Sequence, residues 1–184
     1  MKNPRQLRFR ELRPDPAARL AEAAAAPHPV ALLLDGLDDP RNLGVLFRLA
    51  EAARLAHVYL HRLPSHLLTP TGGLLKKIGK ISREAVRHVP WTALRTAEQL
   101  DAVLAAHTPV ALEWTDRSVP YTAFTPTDNT LLILGSEAYG VSAELLARTA
   151  AQIHLPMHGL NTSLNVAGAA HVAVYELLRQ LHHR

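Results

Sequence analysis

Three polar, glycine-containing segments, each after a short apolar run, hold the residues of this 184-residue chain that could do chemistry. DDPRNLG (38–44) leads through Asn42 to Arg48, GSEAYG (135–140) contains Glu137, and PMHGLNTSLN (156–165) contains Ser163 and Asn165. Ligands of open parallel sheets bind beyond the carboxyl ends of the strands, where these segments would lie. An arginine there can stabilise negative charge but is a poor base, because its pKa lies above about 12. A carboxylate there can anchor an arginine or orient a hydroxyl group.

Each candidate residue also has a structural interpretation. Arg48 could extend past its apolar neighbours into solvent, and Glu137 could interact only with a helix dipole. Asn42 either faces a site or caps its helix. Because six helical residues rotate the chain by about 240° beyond a full turn, Asn42 and Arg48 cannot share one helix face. Ser163 is a candidate N-cap of the last helix as well as a site residue.

Familiar phosphate, hydrolase and metal motifs do not occur at these segments. No G-x-G-x-x-G follows the first predicted strand, which argues against a dinucleotide-binding enzyme. GSEAYG has the glycine spacing of a P-loop without its Lys-Ser/Thr, and NTSLN is not G-x-S-x-G. The pairs His57/His61 and His154/His158 lie in predicted strands or loops, where a spacing of four does not direct both side chains at one ligand. No metal site is therefore expected, and the absence of Cys excludes thiolate chemistry.

Short apolar runs alternate with helical patterns, which predicts an α/β domain with a mostly parallel sheet. The predicted strands are Val30–Leu34, His57–His61, Ala85–Val89, Pro109–Glu113, Leu131–Leu134 and Gln152–Leu155. One predicted helix starts at Pro40 with Asp39 as its cap, and the others cover Thr92–Ala106, Ser142–Ala150 and Ser163–His182. Residues 70–79 and 118–129 are predicted connectors.

The composition is that of one folded domain with uneven charge. The chain is 48% hydrophobic, and no apolar run approaches the ~20 residues that span a bilayer. Residues 1–88 contain 15 Lys and Arg against 8 Asp and Glu (net +7), whereas residues 89–184 contain 5 against 8 (net −3). A basic half beside an acidic half indicates a face built for a polyanion. The charged N-terminus lacks an apolar signal core, so the cytoplasm is the expected compartment.

Three motifs occur in a characteristic order. They are N-x-x-x-x-x-R at Asn42–Arg48, LLILGSEAYGVS (131–142) and IHLPMHGLNTSLNVAGAA (153–170), with a weaker match at KKIGKISREAVRHVPW (76–91). Together they resemble the motifs of the SpoU/TrmH family of RNA 2′-O-ribose methyltransferases, part of the SPOUT superfamily. The closing S-L-N of the third motif is the most specific part, and the resemblance covers about residues 30 to 181.

The resemblance implies a SPOUT-like α/β domain at 30–184 whose C-terminal segment forms a deep trefoil knot, after a basic arm and short helix at 1–29. It also implies a homodimer that binds S-adenosylmethionine in the knot and needs no metal. The last predicted helix is apolar around most of its circumference, which is typical of a helix buried on several sides and agrees with a subunit interface.

The resemblance also assigns roles to individual residues. The catalytic group it implies comprises Asn42, Arg48, Glu137, Ser163 and Asn165. The cofactor-binding group comprises Leu134, Gly135, Glu137, Gly140, Leu155, Pro156, Met157, Ser163 and Leu164. We expect Arg48 to hold an RNA phosphate and to stabilise the alkoxide that develops on the ribose, while the proton leaves to that phosphate or to water.

RNA is the substrate that the resemblance implies, and basic side chains would contact its phosphates. The expected contacts are Arg8, Arg10, Arg13, Arg41, Lys76, Lys77, Lys80 and Arg83. Phosphate contacts give affinity and position but no sequence information, so the target nucleotide stays open. Only about 29 residues precede the first predicted strand, and because short members of the family often act on tRNA, the resemblance favours tRNA as the substrate. The alternatives are the same reaction on ribosomal RNA and a non-catalytic RNA-binding protein.

Overall fold

The structure is a computed structural model that describes Asp15 and residues 26–182. Strands and helices alternate along this part of the chain. The strands are β1 (His28–Asp35), β2 (Leu55–His61), β3 (Trp91–Leu94), β4 (Thr108–Leu112), β5 (Val119–Pro120), β6 (Thr130–Gly135) and β7 (Ala151–His154). The α-helices are α1 (Pro40–Ala52), α2 (Lys76–Ile81), α3 (Ala97–Ala106), α4 (Ala143–Leu146) and α5 (Val166–His182). Single 3₁₀ turns lie at Ser65–Leu67, Ala85–Arg87 and Tyr121–Ala123.

The seven strands form one sheet in the order β3-β2-β1-β6-β4-β7-β5, and every neighbouring pair is parallel. The expected α/β class with a mostly parallel sheet is therefore confirmed. Because the strands are parallel, β1, β4, β6 and β7 all end at the same edge of the sheet. The segments that follow them are brought together there, although they lie far apart in the sequence.

Both faces of the sheet are covered by helices, which explains why its central strands are apolar without alternation. In β1, Val30, Leu32 and Leu34 belong to the core under α1 and α5. The intervening Ala31 and Leu33 belong to a second core under α3 and α4. All five are buried, as are the six residues of β6.

Helix α1 begins as its sequence predicts. Asp39 has extended backbone angles, and its carboxylate accepts a hydrogen bond of 2.7 Å from the Arg41 amide. Pro40 is the first helical residue, where its missing N–H costs nothing. At Gly44 helix α2 packs directly on α1, since a Cβ there would lie 2.6 Å from the Ile81 side chain. The basic segment 76–83 is thereby attached to the helix that carries Asn42 and Arg48.

The predicted strand Ala85–Val89 is wrong. This segment forms a 3₁₀ turn, Ala85–Arg87, and the strand lies further on at Trp91–Leu94. Ala85 and Val89 are buried but Arg87 between them is exposed, which fits a helical turn, because one face of a half-buried strand would bury all three residues.

Several predicted helix boundaries are also corrected. The helix predicted from Thr92 starts at Ala97, because Thr96 and Gln99 form a capping box that fixes its first turn. The helix predicted at Ser142–Ala150 is the single turn α4, and α5 starts at Val166 instead of Ser163. The connector at 70–79 already contains the start of α2, and the connector at 118–129 contains β5.

The N-terminal arm and its predicted helix, including Arg8, Arg10 and Arg13, lie outside the described residues. In the part of the chain that is described, no helix combines the length and apolarity that a membrane crossing requires. The knot that the resemblance implies stays a prediction.

Candidate active site

A cavity of about 450 Å³ lies at the carboxyl edge of the sheet, beyond β4, β6 and β7. Its lining comes from the ends of these strands and from the segment that enters α5: Leu112, Glu113, Trp114, Gly135, Ser136, Glu137, Gly140, His154, Leu155, Met157, Thr162, Ser163, Leu164, Asn165, Val166 and Ala169. Its volume is within the range of small-molecule sites. Two of the three polar segments identified in the sequence therefore meet here, and the third approaches through Asn42.

The loop after β6 folds back on itself and needs its two glycines. Backbone hydrogen bonds of 3.1 and 2.9 Å join Ser136 and Gly140 in both directions. Gly140 has φ +66°, and a Cβ there would collide with the carboxylate of Glu113. A Cβ on Gly135 would occupy the position of the Gly140 backbone. The two glycines therefore let the loop close on itself and against Glu113, and both line the cavity.

Glu113, directly after β4, holds this loop from the other side. One carboxylate oxygen accepts the Val141 amide at 2.9 Å, and the other accepts the Trp114 amide at 2.9 Å. Its own amide donates to the Ile153 carbonyl in β7. One residue thus connects the ends of three strands around the cavity.

A chain of hydrogen bonds connects the three polar segments. The Asn42 side-chain amide donates to Glu137 Oε1 at 2.5 Å, and the Asn165 amide donates to Asn42 Oδ1 at 3.0 Å. Asp39 caps α1, so the interpretation of Asn42 as its cap is wrong, and the buried Asn42 side chain instead lies between Glu137 and Asn165. The second oxygen of Glu137 has no partner among the described residues and remains available to a hydroxyl group.

Asn165, not Ser163, caps α5. Its side-chain oxygen accepts the amides of Ala167 at 3.0 Å and Gly168 at 3.2 Å. Ser163 precedes the helix by three residues and lines the cavity with an exposed side chain. The side chain of Asn165 therefore caps the N-terminus of α5 and also holds Asn42 by a hydrogen bond.

Arg48 lies apart from this network. It is exposed on α1, does not line the cavity and has no hydrogen bond or ion pair with any described residue. As the helical spacing predicted, it does not share the inward face of Asn42. Its exposure agrees with the solvent-directed interpretation of the sequence within a single copy of the chain.

Seven of the nine residues expected to bind a cofactor line the cavity: Gly135, Glu137, Gly140, Leu155, Met157, Ser163 and Leu164. Leu134 is fully buried in β6, and Pro156 is not part of the lining. The sequence analysis missed Glu113, Trp114 and His154. Their signal was their position, because all three lie at the carboxyl ends of β4 and β7, at the edge of the sheet where β6 also ends.

Asp35, at the end of β1, is a further buried group that connects the site to its surroundings. Its carboxylate accepts the Ser142 amide at 2.9 Å and Arg62 Nε at 2.9 Å, and lies 3.0 Å from His61 Nδ1. Burial acts to raise the pKa of Asp35, but the hydrogen bonds from His61 and Ser142, with the charge of Arg62, lower it overall. Asp35 therefore stays ionised and fixes the segment after Gly140.

The predicted RNA contacts that the structure describes are all exposed: Arg41, Lys76, Lys77, Lys80 and Arg83. Arg41 forms a bidentate ion pair with Asp39. The hydrogen bond from Arg41 lowers the pKa of Asp39, and the charge of Lys77 adds to the effect. Lys77 is thus near the start of α1, close to the polar segment that leads into the site. Among the described residues no cluster of three or more His, Asp or Glu could hold a metal ion.

Comparison with known proteins identifies the family. Residues 29–175 match the SpoU rRNA methylase family. The chain belongs to this family. It is 32% identical over 149 residues to the 23S rRNA (guanosine(2553)-2′-O)-methyltransferase RlmP of Bacillus subtilis. The aligned region covers 79% of this chain and 56% of that protein. The chain thus spans little more than half the length of this relative.

Two solved structures share the fold. One, from work on the 2′-OH methylation of C/U34 on tRNA, has a TM-score of 0.73 and 28% identity, and the match covers 86% of this chain and 100% of the other. The second is the S-adenosylmethionine-bound rRNA methyltransferase of Sinorhizobium meliloti, with a TM-score of 0.72 and 26% identity over 85% of this chain and 61% of the other.

Proposed function

We propose that this SpoU-family chain transfers a methyl group from S-adenosylmethionine to a ribose 2′-hydroxyl of RNA, and that the RNA is a tRNA. The observation that carries the proposal is the hydrogen-bonded series Glu137–Asn42–Asn165 beside a nucleoside-sized cavity. The similarity to a protein of tRNA 2′-OH methylation, matched over its whole length, supports tRNA. The similarity to the 23S rRNA enzyme keeps ribosomal RNA as the second candidate.

The cavity fits S-adenosylmethionine. Gly135 and Gly140 line the cavity with backbone and let the loop close against Glu113, and Leu155, Met157 and Leu164 supply apolar walls for an adenine. When bound, this group supplies a methyl carbon on a sulfonium, which is activated for direct transfer to an oxygen nucleophile. The backbone of the 135–140 loop, held by Glu113, would position it.

The other residues act on the ribose. The unpaired oxygen of Glu137 would accept a hydrogen bond from the 2′-hydroxyl, while Asn42 fixes the rotamer of Glu137. The Arg48 guanidinium would hold the adjacent phosphate and stabilise the alkoxide as it forms, and the proton would leave to that phosphate or to water. Ser163, with its exposed hydroxyl on the cavity wall, would contact Arg48 or the substrate.

The position of Arg48 supports a homodimer. In one copy this side chain lies outside the cavity, so a second copy is the direct way to bring an arginine to the site. Helix α5 buries one apolar face in the core but exposes Val172 and Tyr175, which are 43% and 53% accessible. An interface there would bury these side chains. A knot that encloses the cofactor, and a cytoplasmic location with tRNA, are parts of the same proposal.

The basic segment 76–83 would bind RNA phosphates. Lys76, Lys77 and Lys80 lie on α2, and Arg83 follows directly. Because α2 is packed on α1 at Gly44, this charge lies next to the helix of Asn42 and Arg48. RNA held there would pass close to the cavity, and binding should weaken as salt rises.

The test is the transfer of labelled methyl groups from S-adenosylmethionine into purified tRNA and, separately, ribosomal RNA, followed by nucleoside analysis. A 2′-O-methylated nucleoside from tRNA is the expected result. The same product from ribosomal RNA alone would correct the substrate. A base-methylated product, or RNA binding with no transfer, would contradict the proposed reaction.

A further inference from the structure

Trp114 is a large aromatic side chain on the wall of the cavity, yet it is 56% exposed. We propose that Trp114 packs against the adenosine portion of S-adenosylmethionine and so determines affinity for it. This inference rests on the proposed function, because it assumes that the cavity binds this cofactor. The function itself does not require Trp114, since the loop glycines and the apolar walls already define the cavity.

The indole is held in place before any ligand arrives. Its ring lies 4.1 Å from the ring of His154, with an angle of 39° between their planes. His154 Nδ1 is 2.9 Å from Ser118 Oγ, which is fixed in turn by hydrogen bonds to the backbone of Thr115. One side of the indole is therefore supported by protein, and its remaining surface is accessible.

The backbone of Trp114 is fixed as well. Glu113 accepts its amide at 2.9 Å and accepts the Val141 amide with the other oxygen. Trp114 therefore has a set position relative to the Gly135–Gly140 loop. A rigid aromatic surface costs little conformational entropy on binding, so most of its contact energy remains available.

The location favours the cofactor over an RNA base. Trp114 is joined through Glu113 to the loop whose bare backbone forms the cavity wall. The groups that would meet the ribose, Glu137 and Asn42, lie instead toward α1. A purine is a flat ligand that stacks well on an indole, and such contacts commonly change affinity by about tenfold or more when the aromatic ring is removed.

The chain has only two tryptophans, which makes the inference directly measurable. Trp91 packs edge-on against Phe47 in the core, so Trp91→Phe leaves Trp114 as the single reporter. We expect S-adenosylhomocysteine to change the fluorescence of Trp114. The fluorescence change and the heat of binding in titration calorimetry should saturate at the same ligand concentration. In calorimetry, Trp114→Ala in the otherwise natural chain should weaken binding about tenfold or more, and Trp114→Phe should retain most of it.

Tyr139→Ala is the matched control, because the Tyr139 side chain is also aromatic and exposed but does not line the cavity, so S-adenosylhomocysteine should bind this variant as it binds the parent. Unchanged affinity in folded Trp114→Ala, or a fluorescence response to tRNA but not to S-adenosylhomocysteine, would overturn this inference and leave the proposed function intact. If the natural chain shows no heat of binding with S-adenosylhomocysteine, the cofactor proposal fails, and this inference fails with it.

Discussion

The cavity wall and the outer face of α1 differ in how many of their polar side chains find hydrogen-bond partners within one copy of the chain. At the cavity, Glu113, Glu137, Asn42 and Asn165 are linked by hydrogen bonds to one another or to the loop backbone. On the outer face of α1, Arg48 has no polar partner among the described residues. Asn42 and Arg48 lie in one motif and on one helix, yet Asn42 belongs to the hydrogen-bonded cavity wall and Arg48 does not. We attribute the difference to their ligands, a small molecule in the cavity and RNA outside it.

This difference separates preorganisation from recognition. The cavity side is held in place before a ligand binds, because Glu113, Asn42 and Asn165 are already hydrogen-bonded and only one oxygen of Glu137 is left without a partner among the described residues. A charged side chain without a partner stays hydrated and mobile, and it becomes fixed only when an RNA phosphate or a second subunit supplies the partner. The comparison predicts that changes in the first region alter cofactor binding and stability, whereas a change at Arg48 lowers the rate of transfer and leaves cofactor affinity unchanged.

The largest effect is expected at Arg48. Arg48→Ala should lower methyl transfer by about 100-fold or more, because charge stabilisation at the developing alkoxide is lost. Arg48→Lys should restore little, since an ammonium does not reproduce a bidentate guanidinium contact. Single-turnover methyl transfer measures the rate, and calorimetry with S-adenosylhomocysteine should show unchanged affinity.

Arg148→Ala is the control for charge, because Arg148 pairs with Asp101 beside α3 and α4, on the opposite face of the sheet. It should transfer methyl groups at the parental rate. A full rate in Arg48→Ala would show that the two regions do not divide the work as proposed.

A smaller but still large effect is expected at Gly135. Gly135→Ala would force a Cβ into the Gly140 backbone, so the loop must open. We expect binding of S-adenosylhomocysteine to weaken by at least about tenfold, with stability reduced by the 1–3 kcal/mol typical of overpacking. Gly159→Ala is the matched control, because a Cβ there meets nothing within 4 Å. Equal binding by both variants would mean that the loop does not form the cofactor wall.

Asp35 tests stability next to the site. Asp35→Asn should lower the free energy of unfolding by about 2 kcal/mol at pH 7, because hydrogen bonds to a buried charge are lost. The pKa of Asp35 is lower in the folded state than in the unfolded chain, so its stabilisation is complete above the unfolded value near 4. It disappears as pH falls through the lower folded pKa. Urea unfolding from pH 7 to pH 3 should show the parent converging on the variant, and a constant difference would refute the linkage.

The smallest effect separates two neighbouring residues. Asn165→Ala should cost about 1 kcal/mol through loss of the α5 cap, whereas Ser163→Ala should leave stability nearly unchanged. Thermal unfolding of the two variants measures this directly. If Ser163→Ala is the more destabilised, the assignment of the cap is wrong.

The prediction of the fold from sequence succeeded where one pattern dominated and failed where two patterns overlapped. The uninterrupted apolar runs of β1 and β6 and the Asp39-Pro40 start of α1 were placed correctly. The segment 85–94 was misplaced because a buried helical turn and a short strand follow each other within ten residues. At the start of α5 the sequence pattern indicated Ser163 as the cap, whereas the structure shows the Asn165 side chain in that role.

The sequence by itself determined the residue types of the site and the order of its motifs, because local chemistry at strand ends is written in consecutive residues. Only the tertiary structure decided that Asn42 joins Glu137 to Asn165, residues 95 and 123 positions away, and that Glu113 and Trp114 belong to the same cavity. These contacts depend on which strands lie next to each other in the parallel sheet, and that spatial order depends on the packing of the whole sheet. The exposure of Arg48 likewise depends on which face of α1 packs against the sheet.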